Sequence, residues 1–239
     1  MPDAPTLDPD GVDTDHGAVP LAVFCDFDGT FSVQDVGATL GVRYGGQRQA
    51  SEWQRYERGE ITPWEYNLEI LDGLAIDEAA TEAFLQTIDL DPGASALLTA
   101  CEDRGVPFRI LSDGFDWNLD RLQVIHGVRF DYTANGLRFE GGCWRIAPGA
   151  PSDSCGCGTG TCKGDWLRAY RREQPGAHLV HVGNGRVSDR CGAIEADTAF
   201  AKDSLATALA REGAPFERFE TLHDVVAALD RLGAPSPDL

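Results

Sequence analysis

Basic residues are scarce in this chain of 239 residues, in which 20 Lys and Arg face 39 Asp and Glu and the formal net charge is -19. Proteins that bind nucleic acid or an anionic membrane neutralise phosphates with clustered Lys and Arg, so this composition argues against both as the main partner. Any anionic ligand would need a local binding site. The hydrophobic fraction of 42% is sufficient for a packed core, which excludes a wholly disordered chain.

Long apolar segments are also lacking, since no stretch approaches the ~20 apolar residues that a membrane-spanning helix needs. The N-terminus has no basic region followed by an apolar run, which is the pattern of a secretory signal peptide. We therefore expect a cytoplasmic protein without a membrane partner. Residues 1–19 contain five Asp and no Lys or Arg, which predicts a disordered acidic leader, and residues 234–239 are expected to form a C-terminal tail.

The seven cysteines are an odd number in a sequence without a signal peptide, which disfavours a framework of disulfides. Three of them, Cys155, Cys157 and Cys162, lie within eight residues and could bind Zn²⁺ if a fourth ligand came from elsewhere. The nearest candidates for that ligand in the sequence are Cys143 and Cys191. Because the C-x-C-x4-C spacing lacks a matching second half, the alternative is a tight loop of reduced cysteines that positions the next residue, Lys163.

The hydrophobic pattern predicts an α/β protein. The apolar run at residues 21–24 indicates a buried strand that ends in the polar segment CDFDGT. From about residue 34 to residue 86 the spacing of apolar residues is helical, which indicates a helical insertion, and strands and helices alternate again from about residue 93. The pair Asn135-Gly136 lies between two β-rich runs and predicts a hairpin turn.

Two carboxylates, Asp26 and Asp28, stand at the end of the first predicted strand, where open α/β sheets bind their ligands. One carboxylate could attack phosphorus and form an aspartyl-phosphate, which divides hydrolysis into two easier displacements. Its neighbour could then act first as a general acid and later as a general base. The alternative for this motif alone is an acidic loop without chemistry, or a simple cation site.

Two further segments carry groups that are suited to phosphate. The tripeptide Ser112-Asp113-Gly114 follows a second apolar strand and offers a hydroxyl and backbone N–H groups, although the same tripeptide is common in ordinary turns. Lys163 opens a predicted helix after a Gly-rich loop and could offset charge on a transferring phosphoryl group. For this residue alone, a surface lysine is the alternative.

A fourth segment presents Asn184 and Asp189 in the Gly-rich loop that follows the predicted strand at residues 177–182. Oxygen ligands from such a loop, joined to Asp26 and a backbone carbonyl, suit octahedral Mg²⁺ that keeps some of its waters. The sequence therefore predicts Mg²⁺ as the cofactor.

These four segments, in this order and each after a predicted strand, resemble the haloacid dehalogenase superfamily over residues 21–232. The resemblance implies a Rossmann-like catalytic core with a parallel sheet at residues 20–33 and 90–233. It also implies a small helical cap at residues 34–89, inserted after the first strand. The second acid of the DFD motif favours a phosphatase over the dehalogenase and ATPase branches of the superfamily.

The resemblance also implies a role for each residue of the motifs. Asp26 is expected to be the nucleophile and a Mg²⁺ ligand, and Asp28 the general acid and base as well as a ligand through its carbonyl. The segment 112–114 and Lys163 are expected to bind phosphate. The fourth segment of the family usually reads GDxxxD, whereas this chain has Asn184 at the first acidic position and Asp189 one residue farther along than expected. Both are expected at the metal, with weaker binding because a ligand charge is lost.

The ERGEIT turn at residues 57–62 resembles the cap of the phosphoserine phosphatase group. Within that group, the cysteine segment and SDGFD look most like the 2-hydroxy-3-keto-5-methylthiopentenyl-1-phosphate phosphatases of methionine salvage. This implies a small phosphorylated metabolite as partner, with phosphoserine and phosphocholine or phosphoethanolamine as alternative substrates, and a homodimer is kept open. The alternative from another class is a noncatalytic, zinc-containing binding protein with a degenerate site.

Residues of the predicted cap are candidates for contacts with the rest of the substrate, because caps in this architecture close over the site and exclude water. The candidates are Arg43, Tyr44 and Arg55, together with Trp53 and Tyr56. The alternative is that the aromatic residues form the core of the cap and the arginines its solvated face.

Overall fold

The structure is a computed structural model that describes residues 20–232. The predicted acidic leader at 1–19 and the tail at 234–239 lie outside the described residues. Within 20–232 the strands are β1 (Leu21–Cys25), β2 (Phe108–Phe115), β3 (Asp131–Glu140), β4 (Cys143–Ala147), β5 (His178–Gly183), β6 (Thr198–Ala201) and β7 (Glu217–Arg218). The helices of the same range are α1 (Val36–Tyr44), α2 (Gly46–Glu57), α3 (Pro63–Ile70), α4 (Glu78–Leu85), α5 (Ala94–Asp103), α6 (Asp116–His126), α7 (Lys163–Glu173), α8 (Arg190–Glu195), α9 (Asp203–Glu212) and α10 (Leu222–Leu232). None of these helices is long and apolar enough to cross a bilayer.

The strands of the described range form one seven-stranded sheet in the order β4-β3-β2-β1-β5-β6-β7. Neighbouring strands are parallel except for β3 and β4, which are antiparallel. Helices lie between most of the successive parallel strands, as in doubly wound α/β proteins. This arrangement confirms the predicted α/β class and its parallel sheet.

Strand β1 lies in the centre of the sheet and is buried along its whole length. Leu21, Val23 and Cys25 belong to one hydrophobic cluster, whereas Ala22 and Phe24 belong to a second one. Because side chains alternate between the two faces of a strand, β1 is covered on both faces. A strand of this kind is apolar at every position, which explains the uninterrupted run in the sequence.

Helix α7 packs on one face of β1 through Phe24, whose ring centre lies 5.1 Å from those of both Trp166 and Tyr170. Phe24 is buried, with an exposed fraction of 1%. Since α7 begins at Lys163, this packing fixes the start of the helix relative to the carboxyl end of β1.

The helices α1 to α4 lie between β1 and β2 and confirm the helical pattern predicted for residues 34–86. Three of them, α1, α3 and α4, have an N-terminal cap formed by a side chain. Asp35 accepts a hydrogen bond from Ala38 N at 2.7 Å at the start of α1, and Thr62 and Glu65 form a reciprocal capping box at the start of α3. These bonds satisfy N–H groups that have no partner within the helix. The division of the chain into a cap and a catalytic core stays a prediction.

The hairpin predicted at Asn135-Gly136 is real, but its turn lies elsewhere. Strand β3 continues through both residues and pairs with β4 from Gly136 opposite Ala147 to Glu140 opposite Cys143. The turn is formed by Gly141 and Gly142, whose φ angles are 61° and 82°. Two successive positive φ angles favour glycine at both positions, so the later pair makes the tighter turn.

We expect Phe24→Ala to lower the free energy of unfolding by about 3–5 kcal/mol, because it removes a buried ring and leaves a cavity between β1 and α7. Urea unfolding followed by circular dichroism measures this change. Val124→Ala is the matched control, since Val124 is 75% exposed on α6 and its truncation should leave stability nearly unchanged. Equal stability of the Phe24 variant and the control would contradict this account of the packing.

Candidate active site

The segments singled out in the sequence meet at the carboxyl end of the sheet, because β1, β2 and β5 are adjacent and parallel. Asp26 follows β1 directly, Ser112 lies in β2, and Asn184 follows β5. Lys163, the first residue of α7, reaches the same place with its side chain. Four segments that are far apart in the sequence therefore surround one site.

Lys163 is one of two lysines in the chain and is fully buried. Its ammonium group donates hydrogen bonds to Oδ1 of Asp26 and to Oδ1 of Asp189, the second at 2.5 Å. Burial alone would lower the pKa of Lys163, but the negative charges of Asp189 and Asp26 raise it above its usual range. The residue is therefore a permanent positive charge at the base of the site.

The carboxyl groups around Lys163 carry more negative charge than one ammonium group can balance. Burial and the charge of Asp189 raise the pKa of Asp26 to about 7, although Lys163 opposes the shift. Burial and the charges of Asp35 and Asp26 raise the pKa of Asp28 well above its usual range. With Asp26, Asp28 and Asp189 all ionised, Lys163 balances only one of the three charges, and a divalent cation would neutralise the remainder.

An oxygen ligand for such a cation is available from Asn184. The Asn184 side chain approaches Gly29, in the loop of Asp26 and Asp28, so closely that a Cβ on Gly29 would lie 2.3 Å from the amide nitrogen. Gly29 also has a φ angle of 73°, so the loop needs glycine both for its conformation and for this approach. Carboxylate and amide oxygens fit Mg²⁺, which prefers oxygen ligands.

Asp189 is buried and accepts hydrogen bonds at both of its oxygens. Oδ1 accepts from Lys163 and, at 3.2 Å, from Nε2 of His181. Oδ2 accepts from the backbone N–H groups of Asn184 and Gly185 at 3.1 and 2.8 Å. Burial alone would raise the pKa of Asp189, but the charge of Lys163 and the hydrogen bond from His181 lower it below its usual range.

These four donors fill the approximately four acceptor sites of a carboxylate. Asp189 is also not among the residues of 20–232 that line the cavity of the site. The arrangement therefore argues against the predicted direct ligation of Mg²⁺ by Asp189. The residue instead positions Lys163 and the loop that carries Asn184.

Asp28 contacts both the first helix of the insertion and the second predicted segment. Its Oδ1 accepts a hydrogen bond from Val36 N at 2.7 Å, and its Oδ2 accepts one from the Ser112 hydroxyl at 3.4 Å. Ser112 in turn accepts a hydrogen bond from Gly114 N at 2.8 Å. A Cβ on Gly114 would lie 2.5 Å from Oδ2 of Asp28, so glycine at this position leaves room for the carboxyl group.

Asp113 connects β2 to the cysteine segment. Its Oδ1 accepts hydrogen bonds from the backbone N–H groups of Gly160 and Thr161, at 2.8 and 3.1 Å, and from the Asn135 amide at 3.0 Å. Burial raises the pKa of Asp113 to about 6, although these bonds oppose the shift. These bonds show that Asp113 also holds the loop that leads to Lys163. Asp113 lines the cavity as well, and its predicted role in phosphate binding stays a prediction.

A cavity of about 380 Å³ contains Asp26 and Asp28 in its lining. Helices α2 and α3 contribute an aromatic wall of Trp53, Tyr56 and Tyr66. The three rings contact one another: Trp53 and Tyr66 are 5.8 Å apart and edge to face at 72°, and Tyr56 is tilted against both at 5.5 and 5.7 Å. The cavity therefore combines carboxyl groups on its floor with an aromatic wall, a combination that suits a small polar molecule.

Arg186, in the loop after β5, connects this wall to the sheet. Its guanidinium group lies 3.2 Å from the carboxylate of Glu57 and 5.5 Å from the ring centre of Tyr56. Both partners belong to α2, so the contact joins the helical insertion to the loop of Asn184.

The predicted substrate contacts of three cap residues are not supported by the structure. Arg43, Tyr44 and Arg55 are not among the residues of 20–232 that line the cavity. The Arg43 guanidinium lies 5.4 Å from the ring centre of Tyr44, and Arg55 forms an ion pair at 2.6 Å with a glutamate of its own helix. Trp53 and Tyr56 are three residues apart and share one face of α2, whereas Arg55 lies on another face. Of the five candidates from the sequence, Trp53 and Tyr56 are therefore the two that could contact a molecule in the cavity.

The cysteine segment folds against α8. The Sγ atoms of Cys155, Cys157, Cys162 and Cys191 all lie within 4.8 Å of one another. Of the two candidates for a fourth ligand, the structure selects Cys191, whereas Cys143 lies in β4 and is not part of the cluster. Hydrogen bonds from the thiols of Cys162 and Cys191 lower the pKa of Cys157.

Solved structures share this architecture across most of their length. A phosphoserine phosphatase from T. onnurineus has a TM-score of 0.63 and 17% identity, and the match covers 93% of this chain and 98% of that chain. A phospho-aspartyl intermediate analogue of phosphoserine phosphatase has a TM-score of 0.64 and 17% identity, with coverage of 89% and 98%. A haloacid dehalogenase family hydrolase from Salmonella enterica serovar Typhi has a TM-score of 0.66 and 18% identity, with coverage of 87% and 71%. The chain has the haloacid dehalogenase fold.

Curated relatives also match nearly the whole described chain. The 2-hydroxy-3-keto-5-methylthiopentenyl-1-phosphate phosphatase of Brevibacillus brevis is 25% identical over 223 residues, which cover 89% of this chain and 96% of the relative. The protein of the same name from Geobacillus kaustophilus is 28% identical over 221 residues, with the same coverage. No family model matches the chain. The predicted resemblance to phosphatases with the haloacid dehalogenase fold is confirmed, and the names of these relatives support the prediction of a phosphatase.

Several residues of this candidate site were overlooked in the sequence. Arg186 and Ser188 line the cavity. Ser188 occupies the second acidic position of GDxxxD when the motif is counted from Asn184, and this count could have identified it. His181 contacts Asp189 although its strand suggested only a core position, and its Nδ1 has no hydrogen-bond partner within residues 20–232. Asp35 both caps α1 and lines the cavity.

We expect Lys163→Met to destabilise the fold by about 3–5 kcal/mol at pH 8, because it leaves Asp26 and Asp189 buried without their partner. Folding lowers the pKa of Asp189 in the wild type. The ionised Asp189 therefore stabilises the folded state at every pH above the pKa that this residue has in the unfolded chain. In the variant both carboxyl groups lose this support and become neutral as the pH falls, so the difference from wild type should shrink towards pH 5.5.

Urea unfolding in EDTA at the two pH values measures this difference. Lys202→Met is the control, because Lys202 is the other lysine of the chain, is only partly buried and forms no ion pair within residues 20–232. A destabilisation of the Lys163 variant that did not change with pH would contradict the ion-pair explanation.

Proposed function

We propose that this chain is a Mg²⁺-dependent phosphomonoester hydrolase whose nucleophile is Asp26. The observation that supports this most directly is the buried ion pair of Asp26 with Lys163, because Asp26 also lines a cavity together with Asp28. The ammonium group stabilises the ionised nucleophile, although burial raises its pKa to about 7. The same positive charge can offset the negative charge of a transferring phosphoryl group.

In the first step, an oxygen of Asp26 attacks phosphorus in line with the leaving alcohol. The bond from phosphorus to the alcohol oxygen breaks, and Asp28 donates its proton to that oxygen. The raised pKa of Asp28 suits this role, because a protonated carboxyl group is needed near neutral pH. The products of the step are the free alcohol and an aspartyl-phosphate at Asp26.

In the second step, the carboxylate of Asp28 removes a proton from a water molecule, which attacks phosphorus and releases inorganic phosphate from Asp26. Asp28 is thereby protonated again and ready for the next cycle. The hydroxyl of Ser112 already donates to Asp28 and lies where it could bind a phosphoryl oxygen. One of the solved structures of similar fold is named as a phospho-aspartyl intermediate analogue, which supports a covalent route.

In this proposal the residues that would hold Mg²⁺ are Asp26, Asp28 through its carbonyl, and Asn184. When bound, the ion would supply positive charge to the phosphoryl oxygens and lower the pKa of Asp26. Ser188 in place of the second acid leaves fewer charged groups around the ion than the GDxxxD pattern provides. We therefore propose weak Mg²⁺ binding as a property of this chain.

The substrate that we favour is 2-hydroxy-3-keto-5-methylthiopentenyl-1-phosphate or a close analogue. The names of the curated relatives support it, and so does the aromatic wall of Trp53, Tyr56 and Tyr66, which suits a thioether. The paired charges of Glu57 and Arg186 favour a zwitterionic substrate such as phosphoserine as the second candidate. The cytoplasmic location and the homodimer stay predictions.

We expect Asp26→Asn to reduce turnover of an aryl phosphate in Mg²⁺ buffer by more than about 10³-fold, because an amide cannot act as the nucleophile. Release of inorganic phosphate measures the rate, and a panel of phosphorylated metabolites identifies the preferred substrate. Asp103→Asn, an exposed position on α5, is the control and should retain full activity. Undiminished turnover in the Asp26 variant would exclude the mechanism, and wild-type protein inactive on the whole panel would favour the noncatalytic alternative.

We expect Asn184→Asp to lower the Mg²⁺ concentration for half-maximal activity by about tenfold, because it adds a charged ligand at the cation. Titration of activity with Mg²⁺ from the chelator-treated protein measures the shift. Asn67→Asp serves as a control, since Asn67 also lines the cavity but belongs to α3. An unchanged or higher Mg²⁺ requirement in the Asn184 variant would show that residue 184 does not contact the ion.

A further inference from the structure

The four clustered sulfurs are close to the geometry of a tetrahedral metal site. Each Sγ lies within 4.8 Å of the other three. Zinc–sulfur bonds of about 2.3 Å in a tetrahedron place the sulfurs about 3.8 Å apart, so a small contraction of the cluster would suffice. Four thiolates also fill every position of a tetrahedral ion, which is the pattern of a structural site and not of a catalytic one.

The loop that carries three of these cysteines has little regular secondary structure, although hydrogen bonds to Asp113 and Trp64 hold part of it. Residues 148–162 contain no helix or extended strand, and an isolated bridge joins Ala150 to Thr161. Loops of about 12–15 residues without secondary structure are uncommon in compact domains unless they are functional. Closure of this loop on Cys191 would lower the conformational freedom of the segment just before Lys163.

Backbone N–H groups point at two of the sulfurs. Cys162 caps α7, with its Sγ 3.4 Å from Asp165 N, and the Sγ of Cys191 accepts from Gly164 N at 3.3 Å. Hydrogen bonds of this kind orient metal-bound thiolates and tune their charge. A Cβ on Gly164 would lie 2.9 Å from the Cβ of Cys191, so a glycine permits α7 and α8 to approach each other at the cluster.

We propose that Cys155, Cys157, Cys162 and Cys191 form a structural zinc site that fastens the loop before Lys163 to helix α8. The site is separate from the catalytic cavity, because none of these cysteines lines it. Cys162 directly precedes Lys163, and Cys191 follows Asp189 by two residues. Zinc would therefore hold together the two segments whose side chains form the buried ion pair.

Metal analysis of the purified protein tests this proposal without any measurement of phosphatase activity, so its failure and that of the proposed function are distinguishable. The full chain, without a histidine tag, is expected to contain about one zinc ion per molecule. Cys157→Ser and Cys191→Ser should lose most of the metal. Cys143→Ser is the matched control, because Cys143 is a partly exposed cysteine outside the cluster, and it should keep the zinc.

Cobalt provides a second measurement that does not depend on the folding of the variants. Wild-type protein reconstituted with Co²⁺ should show the thiolate charge-transfer and visible bands of a tetrahedral tetrathiolate site, and the Cys143 variant should show the same bands. Wild-type protein without stoichiometric zinc and without these bands would overturn the proposal. Full retention of zinc by a folded Cys157→Ser variant would overturn it as well.

Discussion

The buried ammonium group of Lys163, shared between Asp26 and Asp189, is the interaction on which the rest of this site depends. A lysine without access to water is tolerated only when its charge is paired, and the same holds for the two carboxylates. The three residues come from α7, from the end of β1 and from the loop before α8. Their pairing therefore requires that the sheet, the cysteine loop and α8 take up their positions together.

Positioning residues extend this arrangement outward from the ion pair. Asp189 holds the loop of Asn184 by two backbone hydrogen bonds, and Asp113 holds the cysteine loop by two others. Trp64 N donates to the carbonyl of Gly158 at 3.0 Å, so the same loop also contacts the helical insertion. The segment before Lys163 thus connects the charged floor of the cavity to its aromatic wall.

The altered fourth segment reduces the negative charge around the site. Asn184 and Ser188 offer neutral oxygens where the GDxxxD pattern of the resemblance has acids, and Asp189 is occupied by Lys163, His181 and backbone donors. Fewer charged ligands weaken the hold on a divalent cation. Neutral side chains at these positions also add less repulsion to the charge of Asp26, the proposed nucleophile, so its carboxyl group is easier to ionise.

Much of this protein follows from local sequence. The apolar run before Asp26 predicted a buried strand, and the order of the four motifs predicted their meeting at one edge of the sheet; the structure has both. The roles proposed for Asp26, Asp28 and Lys163 depend on their residue types, on their positions and on the resemblance to the haloacid dehalogenase superfamily. The apolar pattern of a strand and the order of motifs can be read from the sequence without knowledge of the tertiary contacts.

Only the tertiary structure decided which residues complete the site. Cys191 and not Cys143 lies in the cysteine cluster, and Trp53 and not Arg55 lines the cavity. The hydrogen bonds that occupy Asp189 come from Lys163 and from residues 181–185, two stretches whose meeting cannot be read from their spacing. Asn135 is buried within β3 and its side chain donates hydrogen bonds to Asp113, so the turn forms at Gly141-Gly142 and not at Asn135-Gly136. Packing across the fold, which no short stretch of sequence encodes, sets these contacts.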